Sequence, residues 1–429
     1  MAGGLGTRMR SALPKHFHPL LGRRMVDWIV EAARELGAEP LVVSSPGCSD
    51  AYEDVRVVVQ EEPRGTGDAV RCARGELSDR AGEVLVLSGD TPLLTADLLR
   101  ALLETHRAQG AAATVLSFEP ADVRSYGRVV RGDDGRVRAI VEASDASPEE
   151  LLVRECNSSI YVFRSDKLWP ALDRLEPHNA QGELYLTDAV RHLVEDGDTV
   201  AAHLAADPGE TEGVNTRAEL AAATALLRER INLAHMLAGV TIVDPQTAWI
   251  EPTVALEQDV VVHPFTVLRG ATRVATGAEI HPHVVAVDAT IGPGASVGPF
   301  CYLRPGTALS EQAKAGTFVE IKNSHIGART KVPHLSYVGD AEIGAGTNVG
   351  AGAITANLPL RPGLPKERTT IGSNVRTGIH NGFVAPVTVG DDAWIAAGSL
   401  ITDDVPSGAL AIARARQVNK EGHASRDGD

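Results

Sequence analysis

A chain of 429 residues is too long for one ordinary hydrophobic core and must fold as at least two domains. With 43% hydrophobic and 23% charged residues, and no apolar run near the ~18 residues of a membrane span, it has the composition of a soluble globular protein. The 56 acidic residues outnumber the 41 basic ones, a formal charge of −15, which disfavours a nucleic-acid partner met through its phosphates and requires a local basic pocket for any anionic substrate.

The chain opens on Ala2-Gly3-Gly4-Leu5-Gly6-Thr7-Arg8-Met9, followed by Leu13-Pro14-Lys15. Three glycines and two cations at the start of a domain suit a phosphate cradle, in which backbone N–H groups approach phosphate oxygens and Arg8 and Lys15 neutralise charge; a plain tight turn is the alternative. Met25, Ile29, Ala32 and Leu36 recur on one face of a helix that Gly37 ends, and Leu41-Val42-Val43 follows as a buried strand. Gln60 and Gly65-Thr66-Gly67-Asp68-Ala69 form a second loop opening a helix. Val84-Leu85-Val86-Leu87 reads as another buried strand, delivering Ser88-Gly89-Asp90 to its C-terminal edge, where ligands bind in open parallel sheets. This alternation describes an α/β domain over residues 1–216. An Ala/Leu-rich segment with Leu220, Ala223, Leu227, Ile231 and Ala234 near helical spacing forms a linker helix over 217–238, closed by Gly239.

From about Ile250 to Thr402 an aliphatic residue recurs every six positions. Ile250, Leu256, Val262, Leu268, Val274 and Ile280 share one phase, and Val285, Ile291, Val297, Leu303 and Leu309 resume it after a one-residue slip. Ile321, Ile326, Val332, Val338, Ile343, Val349, Ile371, Val389, Ile395 and Ile401 continue the series. Neither the 3.6-residue period of a helix nor the 2-residue period of a strand gives this spacing. A left-handed parallel β-helix does, with three hexapeptides to a coil and one inward residue on each flat side. It is expected over residues 239–416, with a polar, flexible tail over 417–429. Cys48, Cys72, Cys156 and Cys301 are far apart and contain no CxxC, and the N-terminus is unlike a signal peptide, so a reducing cytoplasm is expected.

In order along the chain stand Gly-Thr-Arg-Met (6–9), Leu-Pro-Lys (13–15), Gly-Thr-Gly (65–67), Gly-Asp-Thr-Pro (89–92), Tyr-Gly-Arg (126–128), Asn-Ala-Gln-Gly-Glu (179–183), Leu-Thr-Asp (186–188) and Glu-Gly-Val-Asn (212–215). With the C-terminal repeat, this series resembles the bacterial family of bifunctional N-acetylglucosamine-1-phosphate uridylyltransferases/glucosamine-1-phosphate N-acetyltransferases, essentially end to end. The resemblance implies an α/β Rossmann-like nucleotidyltransferase domain followed by the β-helix, and the synthesis of UDP-N-acetylglucosamine for cell-wall precursors. It implies UTP held by Gly3, Gly4, Gln60, Gly65 and Thr66, with Arg8 and Lys15 catalytic and Mg²⁺ on Asp90 and Asn215. Gly127, Glu142, Asn157 and Asn215 are then the residues that hold N-acetylglucosamine-1-phosphate.

For the acetyl half the resemblance implies His334 as the base that takes the amine proton, since an imidazole can stay neutral at cytoplasmic pH. Arg304, Lys322, Tyr337, Asn348 and Lys366 bind glucosamine-1-phosphate, Ala351, Asn357, Ala397 and Arg414 bind acetyl-CoA, and the assembly is a homotrimer without nucleic-acid or membrane partners. Three departures stand out. The family places a buried strand before the Gly-rich loop, so the native start is expected upstream of Met1 and the first domain to lack that strand. Asn357-Leu358-Pro359-Leu360 and a longer loop replace Asn-Tyr-Asp-Gly, and Gly378-Ile379 replaces Gly-Ser, removing two hydroxyls from the acetyl-CoA site, with His380 and Asn381 as alternative donors. Leu358 and Ile379 keep open a nucleotidylyltransferase with a merely trimerising β-helix, and the same two folds also occur in non-catalytic scaffolds, which need no metal pair such as Asp90 and Asn215.

Overall fold

The computed structural model describes residues 1–3, 6–77, 82–123, 126–358, 363–421 and 423; Gly4, Pro359, Leu360 and the last six residues lie outside them. The chain divides into two compact units, Met1–Leu227 and Arg228–Asp429, and the division falls inside the helix Arg217–Leu237.

The first unit is built on a mixed sheet rather than a purely parallel one. Its spine is the long strand Cys156–Arg164, which pairs antiparallel with Ala113–Phe118, Glu83–Val86 and Arg128–Arg131; Val200–Leu204 pairs parallel with Ala113–Phe118, and Val137–Val141 pairs with Arg128–Arg131. Leu41–Ser44 pairs in parallel with Arg56–Val59, and Ser44 forms a single parallel bridge with Ala2. Between this pair and Glu83–Val86 run Met1 and Ala2: the Ala2 N–H donates to Val43 O (2.7 Å) and the Gly89 N–H to Met1 O (2.7 Å). Beside them opens an apolar cavity of about 420 Å³, lined by Val26, Ile29, Val43, Val70, Leu85 and Leu87 among others. Val84 and Leu85, expected to be buried, are therefore only half-buried, because their flank faces this cavity rather than a neighbouring strand. The expected helical face is present in Met25–Glu35, where Met25, Ile29 and Ala32 are buried and Gly37 turns the chain at φ 85°.

The second unit is the β-helix. Its strands form three parallel stacks in which each residue pairs with one about a coil later, as in Ile250↔Leu268, Leu268↔Ala286 and Ala286↔Leu303. Nearly every expected inward residue is buried, and Ile250, Val262, Leu268, Ile280, Ile291 and Val297 are wholly so. One assignment changes: Ala286 and not Val285 faces inward, so the one-residue slip falls between Ala286 and Ile291. The coils stack so closely that a Cβ on Gly350 would lie 2.0 Å from Gly378 O, a contact only glycine avoids. All four cysteines are free thiols. Among the described residues no helix is long and apolar enough to cross a membrane.

Packing at this density makes the inward column sensitive to lost volume. Ile291→Ala leaves a cavity in a wholly buried position and is expected to destabilise the β-helical unit by about 2–5 kcal/mol, whereas Leu256→Ala, at a half-buried position, costs less than about 2 kcal/mol. Urea unfolding of both variants measures the contrast.

Candidate active sites

In the first unit the opening turn and two later loops meet on one ammonium. Lys15 Nζ donates to Asp90 Oδ2 (2.5 Å) and to Asn215 Oδ1 (2.9 Å), and Arg8 Nη2 donates to the same Asn215 oxygen (2.9 Å). The backbone fixes the pair: the Val214 N–H donates to Asp90 O (2.8 Å), which ties the segment before Asn215 to the end of the strand that delivers Asp90. Burial pushes the Asp90 carboxyl up, but the Lys15 ammonium and hydrogen bonds from Lys15 and Ser88 outweigh it and hold it below the usual carboxylate range. A carboxylate and an amide oxygen aimed at one positive centre are the hard donors that a divalent cation such as Mg²⁺ takes.

The loop residues expected to read the base also come together. Gly3 lies against Gln60, where a Cβ would meet Oε1 at 3.3 Å, and Gln60 Nε2 donates to Asp68 Oδ2 (2.9 Å) and Gly65 O (3.2 Å), which fixes the amide. Gly65 sits at φ 115° with no room for a Cβ beside Leu184, and Thr66 Oγ1 accepts the Leu186 N–H (3.1 Å). A third cluster holds Gly127, Glu142 and Asn157: a Cβ on Gly127 would lie 3.3 Å from Glu142 Oε2 and 3.6 Å from Asn157 Cβ. Burial, and then Asp145, pushes the Glu142 carboxyl up, while Thr187 of the Leu-Thr-Asp motif hydrogen-bonds it. Tyr126, beside Gly127, hydrogen-bonds the backbone of Gly213, which abuts Asp90, so this third cluster adjoins the first.

Next to Lys15, His16 is 2% exposed, with its ring 4.3 Å from Phe17 and its Nε2 without a hydrogen-bond partner. Burial first, and then the Met1 ammonium, Arg24 and Lys15, push its pKa down to about 4.

On the β-helix, the cations expected to hold the sugar phosphate gather around Asp340. Lys322 Nζ lies 3.4 Å from Asp340 Oδ2, Asn323 Nδ2 donates to Asp340 Oδ1 (2.5 Å), and the Asn357 amide donates to Oδ2. Lys366 stands beside Lys322, whose neighbouring ammonium holds Lys366 below the usual lysine range, with Arg304 adding to the effect. Arg304 Nη1 is paired with Glu320 Oε1 (2.9 Å). The Tyr337 ring lies over Gly339, where a Cβ would meet the phenol oxygen at 2.4 Å. Asn348 is exposed, its backbone bridging Lys331 and Arg376 on adjacent coils.

His334 has an exposed ring, and its carbonyl accepts the Gly352 N–H (3.4 Å) next to Ala351. The His380 N–H in turn donates to Ala351 O (2.7 Å) and its ring lies over Gly352, so His334, Ala351 and His380 follow one corner from coil to coil. Gly378 stacks on Ala397, and the Arg414 chain borders Gly398. Asn381 cannot serve as a replacement donor: it is buried, with Nδ2 engaged by Ala396 O (2.8 Å). Leu358 and Ile379 are exposed and offer only alkyl surface where the family carries hydroxyls.

Residues 1–197 match the family described as MobA-like NTP transferase domain. Over nearly the whole chain the sequence is 49% identical to Bifunctional protein GlmU of Streptomyces coelicolor, covering 99% of this chain and 93% of that protein. It is 45% identical to the proteins of the same name from Brevibacillus brevis (99% and 96% covered) and Mycobacterium marinum (98% and 91%). The chain belongs to the GlmU family. The bifunctional transferase expected from its motifs is thereby borne out.

Within this GlmU-family chain, Asp340 lies at the centre of the candidate acetyl-site cluster without having been singled out by the sequence. Burial pushes its carboxyl up, but the Asn323 hydrogen bond and the charges of Lys322 and Lys366 hold it below the usual range. Its signal was available: it is the one acidic residue in His-Leu-Ser-Tyr-Val-Gly-Asp (334–340), the motif that carries His334 and Tyr337.

The buried His16 gives the first unit a pH dependence of known sign. The unfolded chain takes up the proton near pH 6.5 and the folded chain only near 4, so this contribution is complete above 6.5 and is lost as pH falls toward 4. Between pH 7 and pH 5 the loss is about 2 kcal/mol. Urea midpoints at the two pH values, compared with those of His16→Phe, isolate it: the variant is expected to have the flatter dependence.

Proposed function

We propose that the chain acetylates glucosamine-1-phosphate with acetyl-CoA on the β-helix and then transfers uridylyl from UTP to the N-acetylglucosamine-1-phosphate, releasing pyrophosphate. The observation that carries the reading is the convergence of Asp90, Asn215, Lys15 and Arg8, a metal-type oxygen pair and two cations brought to one point from three separate segments. When bound there, Mg²⁺ on Asp90 and Asn215 supplies charge neutralisation for the triphosphate. Lys15 and Arg8 orient phosphate oxygens for in-line attack by the sugar phosphate on the α-phosphorus. No protein nucleophile is required. Gln60 and the Gly3 and Gly65 backbone present donors and acceptors for a base edge; Gly127 leaves space beside Glu142 and Asn157 for the sugar.

In the acetyl reaction Arg304, Lys322 and Lys366 hold the sugar phosphate, and Tyr337, Asn348 and Asn357 position the sugar and its amine. His334 takes the amine proton as the thioester carbon is attacked. Ala351 and Ala397 let coenzyme A lie close to the coils, and Arg414 faces its phosphate. The exposed ring of His334 is consistent with a site completed by a second copy in a homotrimer. A stacked outward column, Phe265–His283–Phe300–Phe318, with ring centroids 4.7–5.3 Å apart, supplies apolar surface for that assembly. Four free thiols fit a cytoplasmic enzyme.

A second reading, uridylyl transfer alone, is favoured by the exposed alkyl groups of Leu358 and Ile379. Incubation with Mg²⁺, acetyl-CoA, UTP and glucosamine-1-phosphate, beside a mixture holding the pre-acetylated sugar, separates the two: product from both supports the bifunctional assignment, and product from the second alone selects the other. Asp90→Asn is expected to lower uridylyl transfer by at least about 100-fold and leave acetyl transfer intact. His334→Ala does the reverse, lowering acetyl transfer by about 10²–10⁴-fold.

A further inference from the structure

Near the start of the β-helix, three side chains converge that neither reaction uses. His263 and Glu279 project from adjacent coils: His263 follows the strand Val261–Val262, which pairs with Glu279–Ile280, and His281 follows that second strand. His263 Nε2 lies 2.8 Å from Glu279 Oε1, and His281 Nδ1 lies 3.6 Å from the same oxygen. One nitrogen from each histidine and one carboxylate oxygen all fall within 4.8 Å of one another. The two imidazoles stack at 5.4 Å with 24° between their planes. All three side chains are half-buried, so they are held by the coils yet reachable from solvent.

We propose that His263, Glu279 and His281 form a binding site for a divalent transition-metal ion of the Zn²⁺ type. Two nitrogens and a carboxylate oxygen are the borderline donors such ions prefer, and they leave a fourth position for water. With metal–ligand distances near 2.0–2.1 Å, ligand atoms around a tetrahedral ion are about 3.3 Å apart. The two contacts to Glu279 Oε1, 2.8 and 3.6 Å, bracket that value, and all three ligand atoms lie within 4.8 Å of one another, so adjustment of the side chains completes the set.

A second observation points the same way. His281 Nε2 lies 3.1 Å from Ser296 Oγ, on the coil that follows. With Nε2–H donating to that hydroxyl, the Nδ1 lone pair is left facing Glu279 and His263. An outer hydrogen bond that fixes the tautomer of a ligating histidine is a regular companion of metal sites. The bound ion joins consecutive coils through their side chains, as the strands already join them through the backbone, and so stiffens the β-helix near its first coils.

The test uses the full chain, freed of metal with chelator and desalted, titrated with Zn²⁺ by calorimetry and, separately, with Co²⁺ followed by visible absorption. One equivalent per chain is expected, with the intense visible band of low-coordinate Co²⁺ and a rise in the melting temperature of the β-helical unit. His263→Ala and His281→Ala are each expected to weaken binding at least about tenfold and to abolish the band. His283→Ala, which alters the neighbouring corner, is expected to leave both unchanged. Because the replaced side chains are half-buried, the variants are checked for an unaltered melting temperature in chelator. Failure of the wild type to bind, or binding that survives in either histidine variant, overturns the site. Uridylyl and acetyl transfer are untouched by either outcome.

Discussion

The constraint on which the second unit depends is that side chains at fixed places in each hexapeptide, the aliphatic residue and the one two before it, must be buried in the coil. Parallel strands pair each residue with one about a coil later, so the face a residue occupies follows from its place in the hexapeptide and is inherited by the next coil. Arg304 follows inward Leu303, Lys322 follows inward Ile321, Tyr337 precedes inward Val338, and Asn348 precedes inward Val349. Each is forced outward by its neighbour's burial, and the pairs Leu303↔Ile321 and Ile321↔Val338 set Arg304, Lys322 and Tyr337 on the same face. The candidate acetyl-site cluster is thus a by-product of core packing, read one residue to either side.

The first unit reaches a comparable result by different means. Its site has no repeat behind it, and backbone hydrogen bonds do the positioning: Val214 to Asp90, Gly67 to Leu184 and Gly89 to Met1. The glycines in these loops are required where main chains approach one another. Gly65 faces Leu184 O with 2.6 Å to a notional Cβ, and Gly67 faces the Leu175 side chain at 2.4 Å. Site residues from positions 8 to 215 are brought together because loops at the strand ends are packed against each other too tightly to carry side chains there.

Most of this was legible before any coordinates, because both kinds of signal are written locally. The hexapeptide period identifies the β-helix, and short motifs identify the loops. What was misread shares a physical cause, namely that the pattern does not distinguish neighbouring apolar residues. Val285 and Ala286 are both aliphatic and stand side by side, so the place of the slip was ambiguous until the pairing of Ala286 with Leu268 and Leu303 decided it. Val84 and Leu85 carry the composition of a buried strand, but burial is a property of what lies alongside, and alongside them lies a cavity. Asp340 was overlooked because its importance lies in partners at positions 322, 323 and 357, which only the coil repeat brings together.

Both candidate sites gather cations in a chain that carries an excess of negative charge. Cations crowded together without substrate repel one another, and each cluster offsets this with a carboxylate held ionised: Asp90 against Lys15, and Asp340 against Lys322. The two differ in how firmly the pair is made. Lys15 is in close contact with Asp90, so a divalent ion held by Asp90 and Asn215 would compete with the ammonium for the same carboxylate oxygen and would leave Lys15 available to a phosphate. Asp340 is instead held by Asn323 and the Asn357 amide, so its carboxylate stays satisfied even when the more distant Lys322 turns away. The close ion pair at Asp90 and the amide-held carboxylate at Asp340 are thus two ways of keeping a negative charge ionised among cations.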